Sequence, residues 1–180
     1  GEEDKDLLID GDKIVDILNP NENISDDWKI IDGQNNFIFP GMIDVLQHGF
    51  LNYLYGHAEE NCTVDNSKIL PSVGVTGFLP STPCLPPEKT KTLLNALSND
   101  IDKAKEGARV LGIHSEGPCF ALPGAHDPKN LRNPSVPLAE ELLDACQGKL
   151  KALTLAPEMN GSEEFIKRLK KEKISIHLGH

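Results

Sequence analysis

The sequence predicts an α/β fold, a parallel sheet of about five βα units behind a small β-rich start. Three observations predict it. From Met42 onward, apolar runs of strand length alternate with segments of helical periodicity. Polar or glycine-rich residues follow each of those runs. Before Pro40-Gly41 the rhythm differs, with short apolar runs and turn signals only.

Residues 1–39 read as the strands of a small β-domain and residues 40–180 as part of a barrel. In the first segment, two apolar runs flank Asp10-Gly11-Asp12, a hairpin signal, and Lys29–Gly33 and Phe37–Phe39 read as further strands. Met42–Leu46 then reads as a buried strand, residues 65–73 as a short helix, and Val75–Pro80 as a second strand. A helix over 86–106 places Leu93, Leu97, Ile101 and Ala104 on one face, with proline in the first turn, where its missing N–H costs nothing. The third strand, 108–113, leads to Glu116. A helix over 137–146 stacks Leu138, Leu142 and Ala145 and ends before Gly148. Leu150–Leu155 is the fourth strand. Ser162 is positioned to cap the last helix, whose Glu163/Lys167 and Glu164/Arg168 spacings suit ion pairs. The fifth strand, 174–178, delivers Gly179-His180.

This alternation fits a doubly wound sheet or a barrel. The polar residues after every strand suit the barrel better, and the expectation is a partial (β/α)8 TIM-type barrel. The start without Met and the stop on His180 suggest that both ends are trimmed or that the chain continues elsewhere.

Bulk composition narrows the function. A formal net charge of -10 disfavours nucleic acid and anionic membrane surfaces as partners. No apolar stretch approaches membrane-spanning length, and the acidic start lacks the apolar region of a signal peptide. Cys62, Cys84, Cys119 and Cys146 are scattered without a C-x-x-C pair, which reads as reduced thiols in a cytoplasmic protein.

Chemistry concentrates at predicted strand ends. Glu116 follows the third strand and His180 the fifth, so both fall on the same barrel face, with donor atoms suited to a hydrolytic zinc or iron site. On local sequence alone, Glu116 is equally a loop carboxylate or a helix-capping acid, and His180 reads somewhat better as a strand-end histidine bonded to backbone than as a ligand. His48 lies just past the first strand. Leu46, two residues earlier, cannot ligate, so His48 reads as a residue of the barrel mouth or one behind the ligands. His114 reads as a packing residue or one supporting a ligand, His177 as barrel-lining and His57 as surface. Asp44 could orient a neighbour or bond to a turn. The loop Gly124-Ala125-His126-Asp127-Pro128 could cover a pocket or be ordinary surface.

Several segments together resemble one family. Pro40-Gly41-Met42-Ile43-Asp44 with Gln47-His48-Gly49 is similar to the first barrel strand of the amidohydrolase superfamily. Gly74–Thr82, His114-Ser115-Glu116-Gly117-Pro118, Gly124–Pro128, Thr154-Leu155-Ala156-Pro157-Glu158 and Gly179-His180, in that order, resemble the N-terminal part of the N-acetylglucosamine-6-phosphate deacetylase family. The resemblance implies a metal-dependent hydrolase that releases acetate from N-acetylglucosamine 6-phosphate, a phosphorylated amino sugar. It implies Glu116 and His180 as ligands of one divalent ion, zinc or iron, with Ala125 (through its backbone) and His126 contacting the sugar. It also implies a homodimer, and it places the third ligand, the catalytic Asp and the phosphate-holding residues beyond residue 180. Leu46 stands where family members carry Gln or His, which argues against a two-metal site, and Ser115 replaces a more usual apolar residue. Two other readings stay open: a non-catalytic or truncated barrel homologue that binds sugar phosphate, and an amidohydrolase acting on a different amide.

Overall fold

The computed structural model describes residues 3–33, 36–55 and 61–180. The chain divides into two compact units, Gly1–Phe39 and Pro40–His180.

In the first unit, β1 (Asp6–Asp10) and β2 (Lys13–Leu18) form an antiparallel hairpin. Asp10 pairs with Lys13 across the turn, where Gly11 adopts a φ of 61° that a side chain would resist. The strands expected at Lys29–Gly33 and Phe37–Phe39 do not form. Both stretches are irregular and exposed, Ile31 at 82% and Phe37 at 72%. An apolar run becomes a strand only when a neighbouring strand takes up its N–H and C=O groups, and no such pairing occurs among the described residues.

The second unit is a curled parallel sheet of five principal strands, β3 (Met42–Gln47), β6 (Val75–Thr82), β8 (Ile113–Glu116), β9 (Leu150–Leu155) and β10 (Ser175–Leu178), adjacent in chain order. Two short strands, β4 (Gly49–Phe50) and β5 (Tyr53–Leu54), pair as a hairpin after β3. Another, β7 (Arg109–Val110), pairs with β6 ahead of β8. The helices are α1 (Cys62–Ile69), α2 (Pro87–Lys103), α3 (Val136–Ala145) and α4 (Ser162–Lys171). Adding each new parallel strand on the same side of the last, with helices between, generates the half-barrel.

The core lies between sheet and helices. Leu93, Leu94 and Leu97 of α2, Leu138 and Leu142 of α3, and Phe165 and Leu169 of α4 join Phe78, Ile113, Leu150, Leu153 and Leu155 of the strands, all buried. Local chemistry sets the helix ends. Pro87 opens α2, and Ser135 Oγ caps α3 by accepting the Leu138 N–H at 3.3 Å. Ser162 does not cap α4. Gly161, at φ 90°, holds that position, and the Ser162 hydroxyl donates instead to the Ala156 carbonyl at 3.2 Å. The Glu163–Lys167 pair forms, but Arg168 bonds Glu140 of α3 and Glu172 rather than Glu164. Glu140 on the neighbouring helix and Glu172 at the C-terminal end of α4 take the guanidinium in place of Glu164.

Two strands differ from expectation in ways that matter to the site. The third predicted strand is broken at Leu111-Gly112 into β7 and β8, so Glu116 is the last residue of β8 and not part of the loop after it. Gly112, at φ 144°, makes the break, and a Cβ there would sit 2.8 Å from the Lys149 carbonyl. Most of strand β3 is not buried: Met42, Ile43, Val45 and Leu46 are exposed, because among the described residues β3 pairs with β6 on one side only. Among the described residues, no helix is long and apolar enough to cross a membrane.

Candidate functional site

All four residues of β8 are buried, flanked by β6 and β9. Side chains alternate along a strand, so His114 and Glu116 share one face. The His114 imidazole bridges the sheet. Its Nδ1 donates to the Val45 carbonyl of β3 at 2.6 Å, and its Nε2 accepts the Thr154 hydroxyl of β9 at 2.8 Å. Burial holds its pKa below the ordinary imidazole value. The His177 ring of β10 meets it edge-on, with centroids 4.9 Å apart.

One turn of the pleat further on, at the C-terminal rim of the sheet, Glu116 gathers three imidazoles. His48 Nε2 lies 3.1 Å from Oε2, His126 Nε2 lies 3.4 Å from the same oxygen, and His180 Nε2 lies 3.6 Å from Oε1. His48 arrives just after β3, where the Gln47 N–H donates to Ser81 Oγ at 3.0 Å. His180 arrives just after β10, where the Gly179 N–H donates to the Leu155 carbonyl and the Leu122 N–H to the His180 carbonyl. His126 comes from the loop after β8, and Ala125 beside it is exposed.

The hydrogen bonds separate these rings chemically. His48 Nδ1 donates to the Ser81 carbonyl at 3.0 Å. That leaves Nε2 as the lone-pair nitrogen of a neutral ring, the form that binds a metal ion. Facing a carboxylate without an ion, the ring favours protonation. The bond to Glu116 raises the His48 pKa, and the bond from His48 lowers that of Glu116. His126 is the reverse case. The Cys84 N–H donates to its Nδ1 at 3.4 Å, and burial lowers its pKa. A neutral ring that accepts at Nδ1 carries its proton on Nε2, so His126 presents an N–H donor to Glu116 and to the space beside it.

The donor set suits a divalent cation. Glu116, His126 and His180 offer ligand atoms all within 4.8 Å of one another. Two ligands of a tetrahedral zinc ion stand roughly 3.3 Å apart, given bonds of about 2.0–2.1 Å. The separations around Glu116 match that spacing. Of the three, His126 fits least, because the Cys84 amide occupies the nitrogen that would have to carry the proton.

Of the residues singled out in the sequence, Glu116, His126 and His180 therefore meet at one point, with His48 closer to Glu116 than either other imidazole. Ala125 adjoins them and His114 lies beneath. His57 falls outside the described residues. Asp44 turns locally, accepting the Leu46 N–H at 3.1 Å. Phe120, which stacks on His180, carries no sequence signal for such a role, and Thr154, which bonds His114, entered the sequence reading only as part of the segment Thr154–Glu158. Their contacts arise across the fold.

A half-barrel of parallel strands with an acid and imidazoles at its C-terminal rim has the architecture of the amidohydrolase class. N-acetylglucosamine-6-phosphate deacetylase of Danio rerio is 32% identical over 176 residues, covering 91% of this chain and 43% of the relative. The crystal structure of the Pasteurella multocida deacetylase superposes with a TM-score of 0.85 at 27% identity, covering 99% of this chain and 47% of that one. A deacetylase mutant from Mycobacterium smegmatis, solved in complex with N-acetyl-D-glucosamine-6-phosphate, superposes at 0.70 with 26% identity, over 78% of this chain and 36% of that one. No protein-family model matches the chain. The chain is homologous to N-acetylglucosamine-6-phosphate deacetylases and corresponds to their N-terminal part, spanning less than half the length of the relatives it matches.

Proposed function

We propose that this chain forms the metal-holding portion of an amide hydrolase that removes acetate from N-acetylglucosamine 6-phosphate. The single observation that carries this is the convergence of three imidazole Nε2 atoms on one buried strand-end carboxylate, in a chain homologous to deacetylases of that substrate. Glu116 and His180 would hold one divalent ion, zinc or iron. Such an ion, when bound, polarises an amide carbonyl and makes a neighbouring water more acidic.

The chain's own residues then have distinct tasks. Glu116 is anionic at neutral pH, because its neighbours lower its pKa, so it is an acceptor and ligand throughout. The Nε2–H of His126 is free to turn from Glu116 to an oxygen of a bound acetamido sugar, which orients the scissile amide. Ala125 offers backbone groups on the same loop. His114 ties β3 to β9 beneath the site and keeps its floor rigid. Cys84, Cys119 and Cys146 are buried free thiols and Cys62 is buried as well, in keeping with a cytoplasmic enzyme.

The test combines metal analysis with acetate release. The purified chain should hold about one divalent ion, and Glu116→Ala should lose it. Acetate release from N-acetylglucosamine 6-phosphate should depend on the same carboxylate in the whole protein. Full metal content and activity in Glu116→Ala would refute the assignment. Equal release from unphosphorylated N-acetylglucosamine would point to a different amide substrate.

A further inference from the structure

A histidine that binds a metal ion is normally aimed by a hydrogen bond at its other ring nitrogen. His48 has such a bond, to Ser81. His180 does not: among the described residues, its ring contacts are Glu116, the rings of Phe120 and His126, and the backbone of Gly124. Something other than a hydrogen bond therefore sets the plane of that ring.

The Phe120 ring lies face to face with His180, with centroids 4.2 Å apart and planes inclined by 23°. It also leans against His126, at 5.2 Å and 37°. Phe120 is thus, among the described residues, the one aromatic side chain in ring contact with both imidazoles, and it is itself fixed, at 1% exposure. Its place depends on Gly117, where a Cβ would come within 2.9 Å of the phenyl ring. On the His180 ring's Nδ1–Cε1 edge, Gly124 closes in so tightly that a Cβ would stand 2.8 Å from Cε1. The imidazole is thereby confined by a phenyl face and a bare backbone. An imidazole that carries a cation is electron-poor, and the electron-rich phenyl face favours it further.

We propose that Phe120 is the positioning residue of this site: by stacking on His180 and bracing His126, it aims both Nε2 atoms at the Glu116 carboxylate. The consequence for metal affinity rests on the reading of Glu116 and His180 as ligands. The effect on ring orientation does not.

The experiment uses the full chain with Phe120→Leu and Phe120→Met, two ring-free replacements of near-equal volume, with circular dichroism to confirm folding. Co2+ is titrated and followed by its visible absorption, and nuclear Overhauser contacts between the His180 ring and Gly124 are recorded in the metal-free protein. The folded variants should bind Co2+ about 10–100-fold more weakly than the parent, as when a partner behind a ligand is removed, and the His180–Gly124 contacts should fade. Parental Co2+ affinity in a folded variant would overturn the proposal. Should the parent chain itself take up no Co2+, the ligand reading fails and the Overhauser contacts decide alone: their loss supports Phe120 as the positioning residue, and their persistence refutes it.

Discussion

His48 Nε2 stands 3.1 Å from Glu116 Oε2, while the opposite nitrogen of the same ring meets the Ser81 carbonyl at 3.0 Å. Both nitrogens face acceptors, an arrangement that suits imidazolium. In the metal-free protein this pair should make stability depend on pH. The His48 pKa is raised above 6.5, so its contribution is complete below that value and is lost as pH rises through the folded pKa. The Glu116 pKa is lowered below 4.5, so its contribution is complete above that value and is lost as pH falls through the folded pKa. Both are fully present between 4.5 and 6.5. His48→Ala should therefore flatten the fall in melting temperature from mildly acidic to mildly alkaline pH. With the His48 side chain 43% exposed, the effect should be modest.

The same pair predicts competition between protons and metal. A divalent ion drawn to Glu116 displaces the proton that the His48–Glu116 bond favours, so binding should release up to about one proton at neutral pH and weaken on acidification. Calorimetry in buffers of different ionisation enthalpy measures this directly. His48→Gln should reduce the proton release.

His126 should behave unlike His180. With the Cys84 N–H on its Nδ1, His126 should show the Nε2–H tautomer in nitrogen-15 NMR of the metal-free protein. His126→Gln should keep most of the metal affinity. His180→Ala should lose more than the roughly 10–100-fold that a partner behind a ligand costs. Equal losses in both variants would make His126 a ligand.

Much of this could be read from the chain, for reasons particular residues make plain. Leu93 and Leu97, or Leu138 and Leu142, recur at helical spacing, and that local signal survives in α2 and α3. Glu116 and His180 each follow an apolar strand run, so their common rim follows from the alternation itself. Exposure was harder to read. Ile43 and Val45 look like core residues, yet whether they are covered depends on which strand lies beyond β3. Ile30, Ile31, Phe37, Ile38 and Phe39 likewise look like strand residues, yet a strand forms only where a neighbour pairs with it. Arg168 chose Glu140 over Glu164 because α3 lies alongside α4, a fact of packing that i,i+4 spacing does not contain. The Phe120–His180 stack likewise joins residues whose spacing has no meaning until β8 and β10 are in place.

Gly112 allows a direct test of the break between β7 and β8. Gly112→Ala would put a methyl group against the Lys149 carbonyl and the Lys151 side chain, at a φ of 144° that alanine resists. Strain of this kind costs on the order of 1–3 kcal/mol. Urea denaturation should show that loss, and a displaced β8 should weaken metal binding as well.

The helix face of the sheet should respond as a packed core does. Leu94 is fully buried, and Leu94→Ala should cost about 2–5 kcal/mol in chemical denaturation. Because it lies on the side of the sheet away from Glu116, metal stoichiometry at low temperature should be unchanged as long as the chain remains folded.

The polar groups at the rim come from residues 48, 116, 126 and 180, and the carbonyl of the last is fastened by the amide of residue 122. His48 and His180 cannot reach Glu116 until segments distant in sequence have found one another, and such long-range encounters are the slow part of folding. During refolding, helicity should therefore return before the ability to capture an ion, making cation uptake a clock for the final stage of assembly.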